Sequence, residues 1–494
     1  MASLADKAGF LVIANLIKYA VGFVMPMVLV RMLNPTDYGT YQQLSLIGAL
    51  GIAILVMGLP NSVYYFFDRK NPARSKVLTL QTSGMLLLSG TVTALALIAC
   101  RPLIVDAVKN PALTPLIPYY VIALGLLIAT EHFVPMMIAR DHYRTGVMVE
   151  TTETGVRVLI LVLPLMAGYG LMGLVVAQLS FAVIRFAVRS IWLIAPLGPM
   201  RDTGEERQFI REQLGYAIPL GLVSLVGLLG GYLDRGIVAT RFSTADYAIY
   251  SVGALEIPLD SIFQASVSTI LRASMPALVR EGNHAEIVRL LREGVRKLSL
   301  VVLPCFVFLF GFAYEFITTL FTPEYARSVS VFRIYLFAMP LNMFILSPVP
   351  SAYGRTRINI HVVAIVTAIH VTLSFVLLHW IGFYGPALSA ISTSWLTSLF
   401  FLFYARRLTG GTITQLLPLA TFAKVLLVGA LAVAVAKLAL GEHARTLVGL
   451  AGAGAVFSVV YLGVCYATGV FTAADKALAR RWSTRLLGAA RGAK

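Results

Sequence analysis

Residues Asn359–Ile381 read NIHVVAIVTAIHVTLSFVLLHWI, without one Asp, Glu, Lys or Arg. A helix needs roughly 20 apolar residues to cross a hydrocarbon core of about 30 Å. No water is available there to satisfy backbone N–H and C=O groups, so a run of this length must be helical. Outward from it, the turn GFYGPA at 382–387 leads into a second apolar run over 384–405, and similar runs recur towards both ends. The chain as a whole has 494 residues, 58% hydrophobic and 13% charged, with a mean hydropathy of +0.82. Soluble domains carry about 25% charged residues, so a soluble domain with one anchor is excluded. The pattern predicts an all-α polytopic membrane protein of about fourteen transmembrane helices, the first over 9–33 and the last over 444–470. The opening MASLADKAGFLVIANLIKYA has only Lys7 ahead of its apolar run and no small-residue cleavage site, so it reads as a retained first helix.

The formal charge of +17 arises from 40 Lys+Arg against 23 Asp+Glu. In a membrane protein this excess is read by location, because cytoplasmic loops collect Lys and Arg. The basic segments 68–76, 201–211 and 272–297, with the tail after Asp475, fall on one side. That bias predicts both termini in the cytoplasm and no nucleic-acid partner. Two of these segments are amphipathic. Ile287, Leu290, Leu291 and Val295 recur at helical spacing beside Arg289, Arg292, Arg296 and Lys297. In the tail Leu478, Trp482 and Leu486 recur among Arg480, Arg481 and Arg485. Both suit helices at the headgroup surface, and equally solvated helices that obey the charge rule.

The chain also repeats itself. Asp37-Tyr38-Gly39-Thr40-Tyr41 after the first helix matches Asp246-Tyr247-Ala248-Ile249-Tyr250 after the seventh, 209 residues on. Tyr169-Gly170-Leu171 matches Tyr384-Gly385-Pro386 at an offset of 215. Two matches at nearly one offset predict a duplicated six-helix unit, related by an axis along the membrane normal. The expected division is 1–197 and 198–408 as six-helix lobes, 409–470 as two extra helices, and 471–494 as a basic cytoplasmic tail.

Chemistry-bearing motifs are few. No Gly-rich loop ends in Gly-Lys-Ser/Thr, and no Cys/His cluster has metal spacing. Cys100, Cys305 and Cys465 lie in or beside apolar runs and read as small hydrophobes. His361, His370 and His379 are nine apart, which turns successive rings half a turn around a helix. No catalytic residue, metal or cofactor is expected, and the chain does not read as an enzyme.

Ionisable groups inside a membrane are costly and mark cavities or function. Lys18 lies well within helix one. Glu150, Glu153 and Arg157 share one face of helix five, with Glu153 and Arg157 spaced to pair. Gln178, Arg185 and Arg189 lie in helix six, Asp234-Arg235 ends helix seven, and Glu256 and Asp260 flank Pro258 in helix eight. Glu131, Glu315 and Arg333 complete the set. The functional reading places Lys18, Arg157, Arg185, Arg235 and Arg333 on a cavity between the halves, where their charges attract a diphosphate. The structural reading has Arg157 neutralising Glu153, Arg235 neutralising Asp234, and Arg185 and Arg189 snorkelling to the cytoplasmic face. Glu256 and Asp260 either share a proton for ion coupling or pair with basic residues.

These residues carry a resemblance. Arg31-Met32-Leu33-Asn34-Pro35-Thr36-Asp37-Tyr38-Gly39, Ile218-Pro219, Leu233-Asp234-Arg235, Phe321-Thr322-Pro323-Glu324-Tyr325 and Gly382-Phe383-Tyr384-Gly385-Pro386-Ala387 resemble segments of bacterial polysaccharide transporters. These are the O-antigen flippase type within the multidrug/oligosaccharidyl-lipid/polysaccharide exporter superfamily. The resemblance covers nearly the whole chain. It implies two six-helix lobes around a central cavity, alternating access in the bacterial inner membrane, and an undecaprenyl-diphosphate-linked oligosaccharide as substrate. It further implies a groove for the lipid tail beside the two extra helices, and work alongside other polysaccharide assembly proteins for O-antigen, capsule or exopolysaccharide. A monomer suffices for such a cavity. Two other readings stay open. A drug/cation antiporter of the same superfamily would use a cavity dominated by acidic and aromatic groups, as Glu256 and Asp260 allow. A membrane O-antigen polymerase or ligase would need a large periplasmic loop, whereas the outward loops here are short.

Overall fold

The computed structural model describes residues 4–56, 58–68, 71–197, 206–473 and 475–477, the side chains at 4–14, 53–55, 72, 196, 206–208, 223, 226 and 259–261 excepted. Every regular element among them is a helix. Nine helical stretches among the described residues are long and apolar enough to cross a membrane, or ten with the bent pair 209–222 and 227–241. Helix Tyr143–Met166 is also long enough, and carries Glu150, Glu153 and Arg157 within it.

Several apolar runs are broken where the chemistry of the backbone requires it. Gly58 adopts φ 70° between helices Pro35–Leu55 and Leu59–Phe66, a conformation that strains any residue with a β-carbon. Thr130–His132 separates Leu113–Ala129 from Phe133–Ala139. Helix Thr244–Gly253 stops before Pro258, which opens Pro258–Arg280, as expected where proline removes a donor and restricts its predecessor. Proline also segments the chain at Met339–Asn342 and Pro348–Ala352.

The chain groups into two compact units, 1–254 with 370–390, and 255–369 with 391–494. In the first, the two motifs that match in sequence form matching helix starts. Asn34 caps Pro35–Leu55 by accepting from the Asp37 N–H at 2.8 Å. Ser243 caps Thr244–Gly253 by accepting from the Asp246 N–H at 3.1 Å. Such caps satisfy a donor that the helix itself cannot. Tyr38 and Tyr247, one residue beyond each Asp, are both buried. The two helices pack on each other so closely that a β-carbon at Gly39 would collide with the Thr244 carbonyl.

Helix Glu206–Arg241 docks on the same unit. Phe209 joins Val63, Leu78, Phe133, Met136, Met137 and Leu193 in one core cluster. Buried Gln213 donates to Ser62 Oγ at 2.8 Å and Thr82 Oγ1 at 2.9 Å, and accepts from Gln81 Nε2 at 2.9 Å. Hydrogen bonds of this kind bind helices where lipid offers no alternative partner.

In the second unit, the expected amphipathic segment is the start of helix His284–Gly311. Asn283 caps it by accepting from the Glu286 N–H at 3.2 Å. Ile287, Leu291 and Val295 are buried, and Arg289, Arg292 and Lys297 are exposed. Helices Leu419–Leu440 and Leu447–Ala467 pack against it, with Tyr461 donating to the Leu300 carbonyl at 3.0 Å. Beyond them Asp475 receives two bonds of 2.9 Å from Arg296. The tail segment Leu478–Leu486 lies outside the described residues.

Candidate substrate-facing charges in the first unit

Helix Tyr143–Met166 sends two carboxylates, one turn apart, to different partners. Glu153 turns towards helix Gly170–Ile194. Arg189 grips it through Nε at 3.1 and 3.0 Å and Nη2 at 2.6 Å. Arg189 Nη1 donates to the Thr130 carbonyl at 3.1 Å, and its guanidinium lies 5.0 Å from the Phe133 ring centre. The same carbonyl accepts the Phe133 N–H at 3.1 Å, so the arginine adds a second bond at the break. Arg185 lies between Glu131 at 2.9 Å and Glu153 at 3.8 Å. Nearby, Arg140 donates to Thr79 Oγ1 at 2.9 Å and the Leu193 carbonyl at 3.2 Å.

This chain of charges, Glu131, Arg185, Glu153, Arg189, binds three consecutive helical stretches together. Arg189 is 4% exposed, and Arg185 and Glu153 14% each. Neither arginine snorkels to the surface. Glu153 is also held by Arg189 instead of Arg157, four residues along its own helix. A buried bidentate guanidinium offers far more than an exposed i,i+4 pair, which is worth about 0.3–0.5 kcal/mol.

Glu150 faces the other way. It accepts from Lys18 Nζ at 2.9 Å, and Lys18 is 61% exposed. Lys18 is the midpoint of helix Leu4–Met32. Arg157, two turns beyond Glu150, is exposed too and lies within Coulombic reach of the Tyr120 hydroxyl. An exposed ion on a spanning helix meets either acyl chains or water, and acyl chains cost several kcal/mol per charge. The arrangement Lys18, Glu150, Arg157 is therefore the candidate hydrated face.

The remaining candidates stand elsewhere. Arg235 donates to the Ala254 carbonyl at 2.9 Å and lies 5.4 Å from the Tyr232 ring centre. Its neighbour Asp234 is buried and accepts from Tyr250 at 2.9 Å. Arg333, in the second unit, is exposed over the Phe310 ring at 5.5 Å. Glu256 is exposed in the turn before Pro258, and the Asp260 side chain lies outside those described. Glu131 and Arg189, to which the sequence assigned no binding role, are part of the charge chain. Their signal was the pair of arginines four apart, together with an acidic residue inside an apolar run. No group of three or more His, Cys, Asp or Glu placed to hold a metal occurs among the described residues.

The fold is similar to that of solved transporters. An inward-facing multidrug resistance MATE family transporter of the MOP superfamily superposes with a TM-score of 0.65 at 13% identity, covering 79% of this chain and 94% of that one. The lipid II flippase MurJ, in an inward closed conformation, superposes with a TM-score of 0.68 at 13% identity, covering 93% of this chain and all of that one. No curated protein matches the sequence. The sequence profile of a family described as "Polysaccharide biosynthesis protein" matches residues 28–330. That stretch takes in the capped motifs, the charge chain and the hydrated face other than Lys18, and the chain belongs to this family of polysaccharide biosynthesis proteins.

Proposed function

We propose that the chain is a flippase. It moves an undecaprenyl-diphosphate-linked oligosaccharide from the cytoplasmic to the periplasmic leaflet of the bacterial inner membrane by alternating access, for surface polysaccharide assembly. The observation that carries this reading is the pair of exposed cations, Lys18 and Arg157, on two long helices of one unit. Membership of a polysaccharide biosynthesis family and a fold shared with transporters support it.

The chemistry follows from charge. The diphosphate cannot cross acyl chains bare, but a hydrated face bearing cations lowers its transfer cost. Each charge-assisted hydrogen bond contributes about 1.5–3 kcal/mol. Arginine's planar fork suits two phosphate oxygens at once, whereas lysine offers a compact, movable charge. The Glu153–Arg189 grip keeps helix Tyr143–Met166 fixed, so Arg157 is presented at constant register. The lipid tail stays in the bilayer, along helices Leu419–Leu440 and Leu447–Ala467. The two six-helix lobes of this reading are 1–197 and 198–408, and both termini are cytoplasmic.

Complementation tests it. The gene is deleted in its host and restored as wild type, Lys18→Ala or Arg157→Ala at matched expression. The flippase reading expects the deletion to lose surface glycan and accumulate undecaprenyl-diphosphate-linked intermediate, with rescue by wild type and not by Lys18→Ala. Unchanged glycan and intermediates, with raised sensitivity to cationic drugs, would replace it by the antiporter.

A further inference from the structure

Two glutamates of helix Tyr143–Met166 are held in contrasting ways. Glu153 takes three contacts from Arg189, which is almost wholly buried, and a fourth from Arg185. Nothing arriving from solvent can reach between them. Glu150 takes a single 2.9 Å contact from Lys18, with 30% of its own side chain and 61% of the lysine's exposed. The two residues belong to different helices and are 132 apart in sequence, so the contact is a tertiary one, and it can part without disturbing either helix. The ammonium has two further donors, and the carboxylate presents to it the same anionic oxygen chemistry as a phosphate.

We propose that Glu150 is a resident stand-in for the substrate's phosphate. It occupies Lys18 while no lipid-linked diphosphate is bound, and yields the ammonium to the diphosphate when one arrives. This rests on the flippase reading and adds a residue that sets affinity and turnover in opposite directions. An alternating carrier must return empty after each delivery. A bare ammonium in a site that closes around it pays a large desolvation penalty, whereas an ion pair is compensated. Glu150 supplies that compensation. Substrate binding then exchanges one counter-ion for another and creates no new charge pair. The cost is weaker binding, because the diphosphate must displace a carboxylate.

Three consequences separate this role from a merely structural one. Removing the carboxylate tightens binding, the gain depends on Lys18, and transport falls although affinity rises. The full-length protein, purified in detergent, is titrated with farnesyl diphosphate and then undecaprenyl diphosphate. Glu150→Gln is expected to bind each probe up to about 5-fold more tightly, the size of one exposed ion pair. In a Lys18→Met background the same change is expected to have no effect. Glu150→Asp, which keeps the charge, returns affinity towards wild type and guards against a folding artefact in the glutamine variant. In cells, Glu150→Gln is expected to restore less surface glycan than wild type at equal expression. If Glu150→Gln binds the diphosphates equally or more weakly while Lys18→Met alone weakens binding, Glu150 is no competitor and the flippase reading survives without it. If the wild-type protein binds neither diphosphate, the flippase reading fails and takes this inference with it.

Discussion

Replacing Arg189 by methionine removes a guanidinium that holds the Glu153 carboxylate through three contacts of 2.6–3.1 Å and the Thr130 carbonyl through a fourth. Methionine fills much of the volume but donates nothing. Glu153 is left with only the 3.8 Å contact to Arg185, and the Thr130 carbonyl keeps only the Phe133 N–H. Breaking a buried pair from one side costs about 3–5 kcal/mol, because the surviving charge stays buried. Removing both charges, in Glu153→Leu with Arg189→Met, spares that penalty and leaves about 0.5–1.5 kcal/mol for the one hydrogen bond lost at the Thr130 carbonyl. Equilibrium unfolding of the purified variants in mixed micelles measures the difference. The double variant is expected to be more stable than Arg189→Met alone. A double variant less stable than the single, or a single within about 1 kcal/mol of wild type, would refute the idea that these charges compensate one another across a dry helix interface.

Two further outcomes follow from other contacts. Gly39→Val places a branched side chain against the Thr244 carbonyl and is expected to reduce yield of folded protein. Gly39→Ala meets the same obstacle with less bulk and should lie between, both read by size-exclusion elution of a fluorescent fusion. At the end of the second unit, burial alone would raise the Asp475 carboxyl. Bonds from Arg296 and Thr472, with the arginine's charge, instead bring it down to about 2 from an ordinary 3.8. A carboxyl depressed in the folded state stabilises fully above its unfolded pKa, and the gain is lost as pH falls through the folded value. The Arg296 contact therefore contributes steadily above about pH 4 and fades towards pH 2. Allowing for partial exposure, Asp475→Asn is expected to cost about 1–2 kcal/mol at pH 7 and almost nothing at pH 2, measured by melting across that range.

The sequence and the structure part company where contact replaces periodicity. The apolar runs and the matched motifs at Asp37-Tyr38 and Asp246-Tyr247 were legible, because a run of spanning length and a repeated local motif carry their signal within a short stretch. The amphipathic face of Ile287, Leu291 and Val295 was legible for the same reason. The partner of Glu153 was not. Spacing along one helix offers Arg157, and only the approach of helix Gly170–Ile194 brings Arg189. Lys18 and Glu150 were both conspicuous as ions in apolar surroundings, yet nothing in either helix says that they meet. Breaks at Gly58 and Thr130–His132 were hidden inside runs whose hydropathy continues across them.

Gln213 meets Thr82 and Ser62 from 131 and 151 residues further along the chain. At roughly 5–20 residues synthesised per second, Ser62, Gln81 and Thr82 enter the bilayer about 7–30 s before the glutamine that completes their hydrogen bonds. During that interval Gln81 and Thr82 lack the partner that Gln213 supplies, while Ser62 donates to the Leu59 carbonyl at 2.7 Å. A fragment ending at 197 would stay in that state permanently. These bonds close only when the helix bearing Gln213 leaves the ribosome and docks.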